Sequence, residues 1–246
     1  MTDDQTAEEP WSPRALAPRH LPRGWAEDEA PDGVLGWLKE IALVVVIAML
    51  ISTLLRAFIV QVFWIPSPSM HDTLVENDKI AVSRIDALTG SIHRGDVVVF
   101  HDELGWLPAS PAGTNPVRRF GEFVGFLPAG GEQTLVKRVI GVGGDRVKCC
   151  TADGRIEVNG VPLDETYLAK GQVPSQTPFD VVVPEGSLWV MGDNRGNSAD
   201  SRYHRGEGET PFVPVSAVVG TVRAVIWPLD RVALGLSARD VFSKVE

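Results

Sequence analysis

The feature that most constrains this chain is a single apolar stretch, Ile41 to Phe63. From Ile41 to Leu55 it carries no charge, and from Ala57 to Phe63 only Gln61 interrupts it. At about 1.5 Å per residue it spans roughly 34 Å as a helix, enough to cross a hydrocarbon core of about 30 Å. Arg56 lies near one end, from which a long side chain reaches the headgroups. The acidic lead before the stretch is too long for a cleavable signal peptide, and no small-x-small site follows it. The expectation is one uncleaved transmembrane anchor over residues 35–63, with Trp64 at the membrane interface. Everything after it has to fold within reach of a bilayer.

The rest of the chain divides around that anchor. Residues 1–34 hold Asp3, Asp4, Glu8, Glu9, Glu27, Asp28, Glu29 and Asp32, several prolines and no hydrophobic period, and read as a disordered acidic tail. Residues 64–246 read as a β-rich domain. Short runs rich in Val and Ile, bounded by Gly, Asp, Asn or Pro, predict strands at Lys79–Ile85, Asp96–Phe100, Thr134–Val142, Arg146–Cys150, Arg155–Val158, Asp180–Val183, Ser187–Met191 and Val218–Ile226. The 24 glycines and 18 prolines supply the turns such a body needs. Residues 102–131 lack a period and read as a loop insertion. A formal net charge of −9 argues against nucleic acid as a partner, which requires a positive face. The two cysteines, Cys149 and Cys150, are adjacent, so they suit neither a disulfide framework nor a zinc site. A vicinal disulfide, two thiols and an intermolecular bond all remain open. The five histidines have no metal-ligand spacing, Asp193-Asn194-Arg195-Gly196-Asn197 is a poor calcium loop, and no cofactor or metal is implied.

Chemistry concentrates in three separated segments. Directly after the anchor comes Ile65-Pro66-Ser67-Pro68-Ser69-Met70-His71-Asp72-Thr73-Leu74, a stiff, hydroxyl-bearing run that by itself also reads as a linker. The chain has no Gly-x-Ser-x-Gly elbow and no serine followed three residues later by lysine. His71 and Asp72 are sequence neighbours whose side chains point apart on an extended chain, which makes surface residues of them rather than triad members. What remains is a serine with a distant lysine. Lys137 and Arg138 share an apolar strand, so the two must face opposite ways and one of them points inward or along a groove. A lysine acting as general base near pH 7 must fall from about 10.4 to about 7, a cost of roughly 4.6 kcal/mol that burial on an apolar strand can supply. The third segment, Met191-Gly192-Asp193-Asn194-Arg195-Gly196-Asn197-Ser198-Ala199-Asp200-Ser201-Arg202, is a polar loop that reads as an Asx-rich turn or as a support for such a lysine.

These segments, in this order behind an anchor, resemble the type I signal peptidases, membrane-anchored serine proteases that remove signal peptides from exported proteins. The resemblance covers residues 35–228. It implies a mainly β fold, an antiparallel β-sheet catalytic body of the signal-peptidase/LexA-like kind preceded by one transmembrane helix. It implies Ser69 as nucleophile, Lys137 as general base, Ser67 as an oxyanion-hole hydroxyl beside the Ser69 amide, Ser198 as the hydroxyl orienting the lysine, and Asp200 with Arg202 as a supporting ion pair. The implied partners are secretory preproteins and the lipid bilayer, with residues 1–34 cytoplasmic and 64–246 extracytoplasmic. Cuts are expected after small-x-small motifs. Three departures stand out: Asp72 where the family's Ser-Met-x-Pro-Thr-Leu has proline, which predicts a looser turn, Gly143 where proline is frequent, and Gly196 where aspartate is common. The competing readings are a catalytically silent, membrane-tethered β-domain that binds exported chains, and a related Ser–Lys peptidase with a different substrate.

Overall fold

The computed structural model describes residues 33–108 and 134–246. Nearly all of the tail expected over 1–34, and residues 109–131 of the expected insertion, lie outside the described residues.

The apolar stretch forms helix α1, Gly33–Phe58. Its window Gly33–Leu55 has a mean hydropathy of 2.3 and is unburied by protein, as expected of a helix apolar on all sides whose partner is lipid. The helix starts at Gly33, ahead of the uncharged run that begins at Ile41, and takes in Leu35, Trp37, Leu38 and Lys39. It also ends earlier. Residues 60–63, assigned to the anchor on hydropathy alone, instead open strand β1, Val60–Trp64, in register from Val60↔Ser83 to Trp64↔Lys79. Hydropathy cannot separate an apolar helix from the apolar strand that follows it; β-branching and the alternation that turns Phe63 inward can. Trp64 lies on this strand, partly exposed.

All of the described β-structure belongs to one compact unit, Val46–Glu246. Its strands are β2 (Lys79–Ser83), β3 (Val97–His101), β4 (Thr134–Val142), β5 (Arg146–Cys149), β6 (Ile156–Val158), β7 (Val161–Pro162), β8 (Phe179–Val182), β9 (Ser187–Met191), β10 (Val213–Pro214), β11 (Val218–Trp227) and β12 (Ala233–Leu234). The larger sheet runs β1-β2-β11-β3-β4-β9-β10 with β12 on β11, the smaller runs β7-β6-β5-β8, and every pairing is antiparallel. The predicted strand over Lys79–Ile85 stops at Ser83. Ile85–Thr89 turns into a short helix, α2, closed by Gly90 in the left-handed region at φ 69°. The two-residue strands β7, β10 and β12 are too short to leave a periodic signal. Cys149 and Cys150, at the end of β5, are joined as a vicinal disulfide.

Strand β3 shows why an unbroken apolar run belongs in the middle of this sheet. Val97 and Val99 face one core cluster with Phe63, Ile65, Met70, Leu74, Ile80 and Val82, while Val98 and Phe100 face another with Val139, Leu188 and Val190. Both faces are buried, so alternation disappears. The first cluster also seats the segment after β1: Met70 and Leu74, 1% and 0% exposed, hold it from beneath.

Candidate active site

The segment after β1 closes into a single 3-10 turn, Pro68–Met70. Ser67 caps it in an extended conformation, its Oγ accepting the Ser69 N–H at 3.3 Å. Pro68 occupies the first position, where a missing N–H costs nothing. The chain then closes through Leu74 N–H to Met70 O at 2.7 Å. A linker would not be fastened at both ends to a core, so the turn presents Ser69 from a rigid base.

Lys137 comes to it from β4, opposite Val98 of β3. Its Nζ lies 2.7 Å from Ser69 Oγ and 3.2 Å from Val136 O, to both of which it donates. The amine is buried, with Lys137 2% exposed, and burial brings it down from 10.5 to about 8. The carboxylates of Asp200 and Asp193 pull the other way, and the Arg202 guanidinium adds to the fall. Desolvation therefore outweighs two negative charges, as it must if a lysine is to lose its proton near neutrality.

Arg138, the other basic residue of the pair, corrects the expectation that one of the two points inward: both are buried, on opposite faces of β4. Arg138 has its own polar site, which is what makes this possible. It donates from Nε and Nη2 to Asp193 at 2.8 and 2.7 Å, and from Nη1 to Gly95 O and Leu236 O. Asp193 in turn accepts the Thr73 hydroxyl at 2.6 Å. The two basic neighbours thus tie the serine turn from two sides, one by its hydroxyl and one through a carboxylate.

The polar loop Gly192–Arg202 follows β9 and lies against the same turn. Asn194 donates its backbone N–H to Ser69 O at 3.1 Å and its side-chain Nδ2 to Pro68 O at 3.0 Å. Asp200 and Arg202 form the expected ion pair, fully buried, with Nε–Oδ1 at 2.8 Å and Nη2–Oδ2 at 2.9 Å. Asp200 also accepts the Gly192 N–H at 3.0 Å, and Arg202 donates to Arg195 O at 2.8 Å, so the pair folds the loop back on itself. Ser198 is brought into the site and is buried. Its Oγ has no hydrogen-bond partner among the described residues, so the expected contact with Lys137 Nζ is not formed in this state. Gly192 explains the crowding there. A Cβ at 192 would overlap Ser198 Oγ and the Ser69 carbonyl, so only glycine lets the loop approach the serine this closely.

Some members of this network left no sign in the sequence. Glu165 and Arg195 form a buried ion pair, and Tyr167 donates its hydroxyl to Glu165 while the Arg138 guanidinium lies 4.3 Å from its ring centre. Burial raises the Tyr167 phenol well above its usual range. Glu165 and Tyr167 sit in an irregular segment with nothing local to mark them; only their contact with the Gly192–Arg202 loop does. His71 faces Asp72 and Glu76 at the surface, 3.6 and 3.8 Å away, rather than pointing away from Asp72, because Asp72 at φ 73° breaks the extended chain on which that expectation rested. At Gly143 a Cβ would stand 3.0 Å from Glu185 Cα, a tight fit against the neighbouring turn. Among the described residues no group of three or more His, Cys, Asp or Glu is placed to hold a metal ion.

Comparison with known proteins gives the family of the chain. The family model described as signal peptidase, peptidase S26, matches residues 38–227. A probable signal peptidase I of Mycobacterium leprae is 38% identical over 226 residues, covering 79% of this chain and 78% of its own. A signal peptidase I of Mycobacterium tuberculosis is 36% identical, covering 83% and 77%. A probable signal peptidase I-2 of Synechocystis is 32% identical, covering 80% and 77%. With a family match over most of its length and relatives of this similarity, the chain belongs to the signal peptidase family, peptidase S26.

Proposed function

We propose that this chain is a membrane-bound serine endopeptidase that cuts signal peptides from exported preproteins, with Ser69 as nucleophile and Lys137 as general base. The observation that carries the reading is the 2.7 Å contact between Lys137 Nζ and Ser69 Oγ around an amine lowered to about 8. At pH 7 about a tenth of such an amine is neutral, a working fraction for a base. The neutral amine takes the proton of Ser69 Oγ across that contact while the oxygen attacks the scissile carbonyl, and the ammonium returns the proton to the leaving amine. An acyl-enzyme is left, and a water deprotonated by the same amine releases it.

The oxyanion is received by the Ser69 N–H and the Ser67 hydroxyl. In the free chain these groups bond to each other at 3.3 Å, so the incoming oxygen replaces a long, weak contact and both donors turn to it. Loss of one such donor typically costs about 10²–10³ in rate. Ser198, with its hydroxyl unpartnered beside the Ser69 carbonyl, orients the amine once substrate is bound, and the Asp200–Arg202 pair holds the loop that carries it. Substrate enters as an added strand on β4. Among the described residues, 134–137 pair with β3 only, because pairing with β9 begins at Arg138, and this leaves a backbone edge beside Lys137 that no described strand occupies. Helix α1 is the anchor, with the tail cytoplasmic and the β-body across the membrane, where a substrate held in the bilayer by its own apolar segment reaches Ser69.

The test is cleavage of a preprotein by the full chain in detergent with lipid. The wild type is expected to cut once, after a segment with small residues at the first and third positions before the cut. Ser69→Ala and Lys137→Ala should each abolish cleavage while remaining folded. Cleavage retained by either variant overturns the assignment.

A further inference from the structure

Two of the places where this sequence departs from the pattern of its family, Asp72 and Gly196, meet the same short segment, residues 169–172, distant from both in the chain. Asp72 stands in the left-handed region at φ 73°, a conformation closed to proline, whose ring holds φ near −65°. Its Oδ2 accepts the Lys170 N–H at 2.8 Å. Gly196 donates its N–H to Gln172 Oε1 at 2.7 Å, and a Cβ at 196 would lie 2.8 Å from that same oxygen. Gln172 therefore fills the space a side chain at 196 would take. Between them Ala169, itself buried, donates to Asp193 O at 3.1 Å and accepts from Gln172 N–H at 3.0 Å. A few residues upstream, Glu165 fixes the segment to Arg195 through their buried ion pair.

We propose that residues 169–172 form a strap that sets the serine turn against the Gly192–Arg202 loop, with Asp72 as the positioning residue through which the strap holds the turn. The expected proline would stiffen the turn through its own ring. Here the turn after Met70 takes a left-handed residue, and a carboxylate to backbone bond across 98 positions of sequence replaces the ring. The looser turn expected from Asp72 alone thus acquires an external tether. The Asp72 carboxylate bonds to the Lys170 amide rather than to Ser69 or Lys137. It acts on where Ser69 Oγ stands relative to Lys137 Nζ, and displacements of about 1 Å in such a pair cost up to about 10² in rate. This inference rests on the reading of Ser69 and Lys137 given above.

The experiment compares Asp72→Gly, which keeps the left-handed backbone and removes the tether, with Asp72→Asn, which keeps an acceptor oxygen. Steady-state cleavage of a preprotein is measured together with amide hydrogen exchange at Lys170. Asp72→Gly is expected to lose protection at Lys170, to lower kcat about tenfold and to leave KM within about twofold, while Asp72→Asn stays within about threefold of wild type. Wild-type kcat in Asp72→Gly, an effect confined to KM, or equal losses in the two variants overturns the proposal. If Asp72→Gly does not fold, Gln172→Ala removes the strap's bond to the other side, and the same fall in kcat at constant KM is required of it. A wild-type chain that cuts no preprotein refutes the reading of Ser69 and Lys137; unchanged exchange at Lys170 in Asp72→Gly refutes the strap alone.

Discussion

Burying an amine that must be neutral to work should make Lys137 a liability to stability, and the size of that liability can be worked out. Folded, the amine titrates at about 8, against 10.5 when exposed. At about 1.4 kcal/mol per pH unit the difference is about 3 kcal/mol. The sign follows from proton binding: between pH 8 and 10.5 the unfolded chain holds the proton and the folded chain does not, so stability rises with pH across that window. Below pH 8 both states are protonated and the cost is present in full. Lys137→Met fills nearly the same volume without the charge, and gives up hydrogen bonds worth about 1 kcal/mol net. At pH 7 the variant should therefore be more stable than wild type by about 2 kcal/mol. By pH 10.5 the order should have reversed, wild type leading by up to about 1 kcal/mol. Urea unfolding of the two chains in the same detergent, at pH 7, 9 and 10.5, measures the gap directly. A wild type more stable than Lys137→Met at pH 7, or a gap that does not move with pH, refutes the desolvation argument.

Other substitutions test the surrounding network. Gly192→Ala puts a methyl group against Ser198 Oγ and the Ser69 carbonyl, so it should cut kcat at least tenfold while costing only about 1–3 kcal/mol of stability; a variant with normal kcat contradicts the close approach. Arg138→Met leaves Asp193 buried without its cation and should destabilise by about 3–5 kcal/mol in urea unfolding; a loss below about 1 kcal/mol would mean the pair is not holding the turn. A chain beginning at Ile59 keeps β1, whereas one beginning at Trp64 loses Phe63 and most of the pairing with β2, so the second should be less stable by at least about 3 kcal/mol. Equal stability would place the end of the anchor back at Phe63.

Much of this was legible in the sequence, because it depends on local pattern. The anchor announces itself by hydropathy and the strands by β-branching and turn residues. The segments carrying Ser69, Lys137 and the Asp200–Arg202 pair stood out because they are distinctive in kind and order, and the fold brings them together. What was not legible depends on contacts between distant segments. The alternation of Lys137 and Arg138 was readable, but the burial of both was not, since it depends on Asp193, Gly95 and Leu236 arriving from elsewhere in the chain. Glu165 and Tyr167 show no motif, and their role appears only where the loop after β9 folds onto them. Asp72 looked like a flaw for the same reason: the Lys170 amide that it meets has no mark in the sequence. The end of the helix at Phe58 was not legible because an apolar strand is continuous with an apolar helix.

The central claim, that a buried neutral Lys137 activates Ser69, is tested most directly by the pH dependence of kcat/KM for preprotein cleavage. The rate should fall tenfold per pH unit on the acid side, with a midpoint within about a unit of 8. A profile that stays flat down to pH 5 would contradict the claim, because an amine with this surrounding is fully protonated there and has no lone pair to offer Ser69.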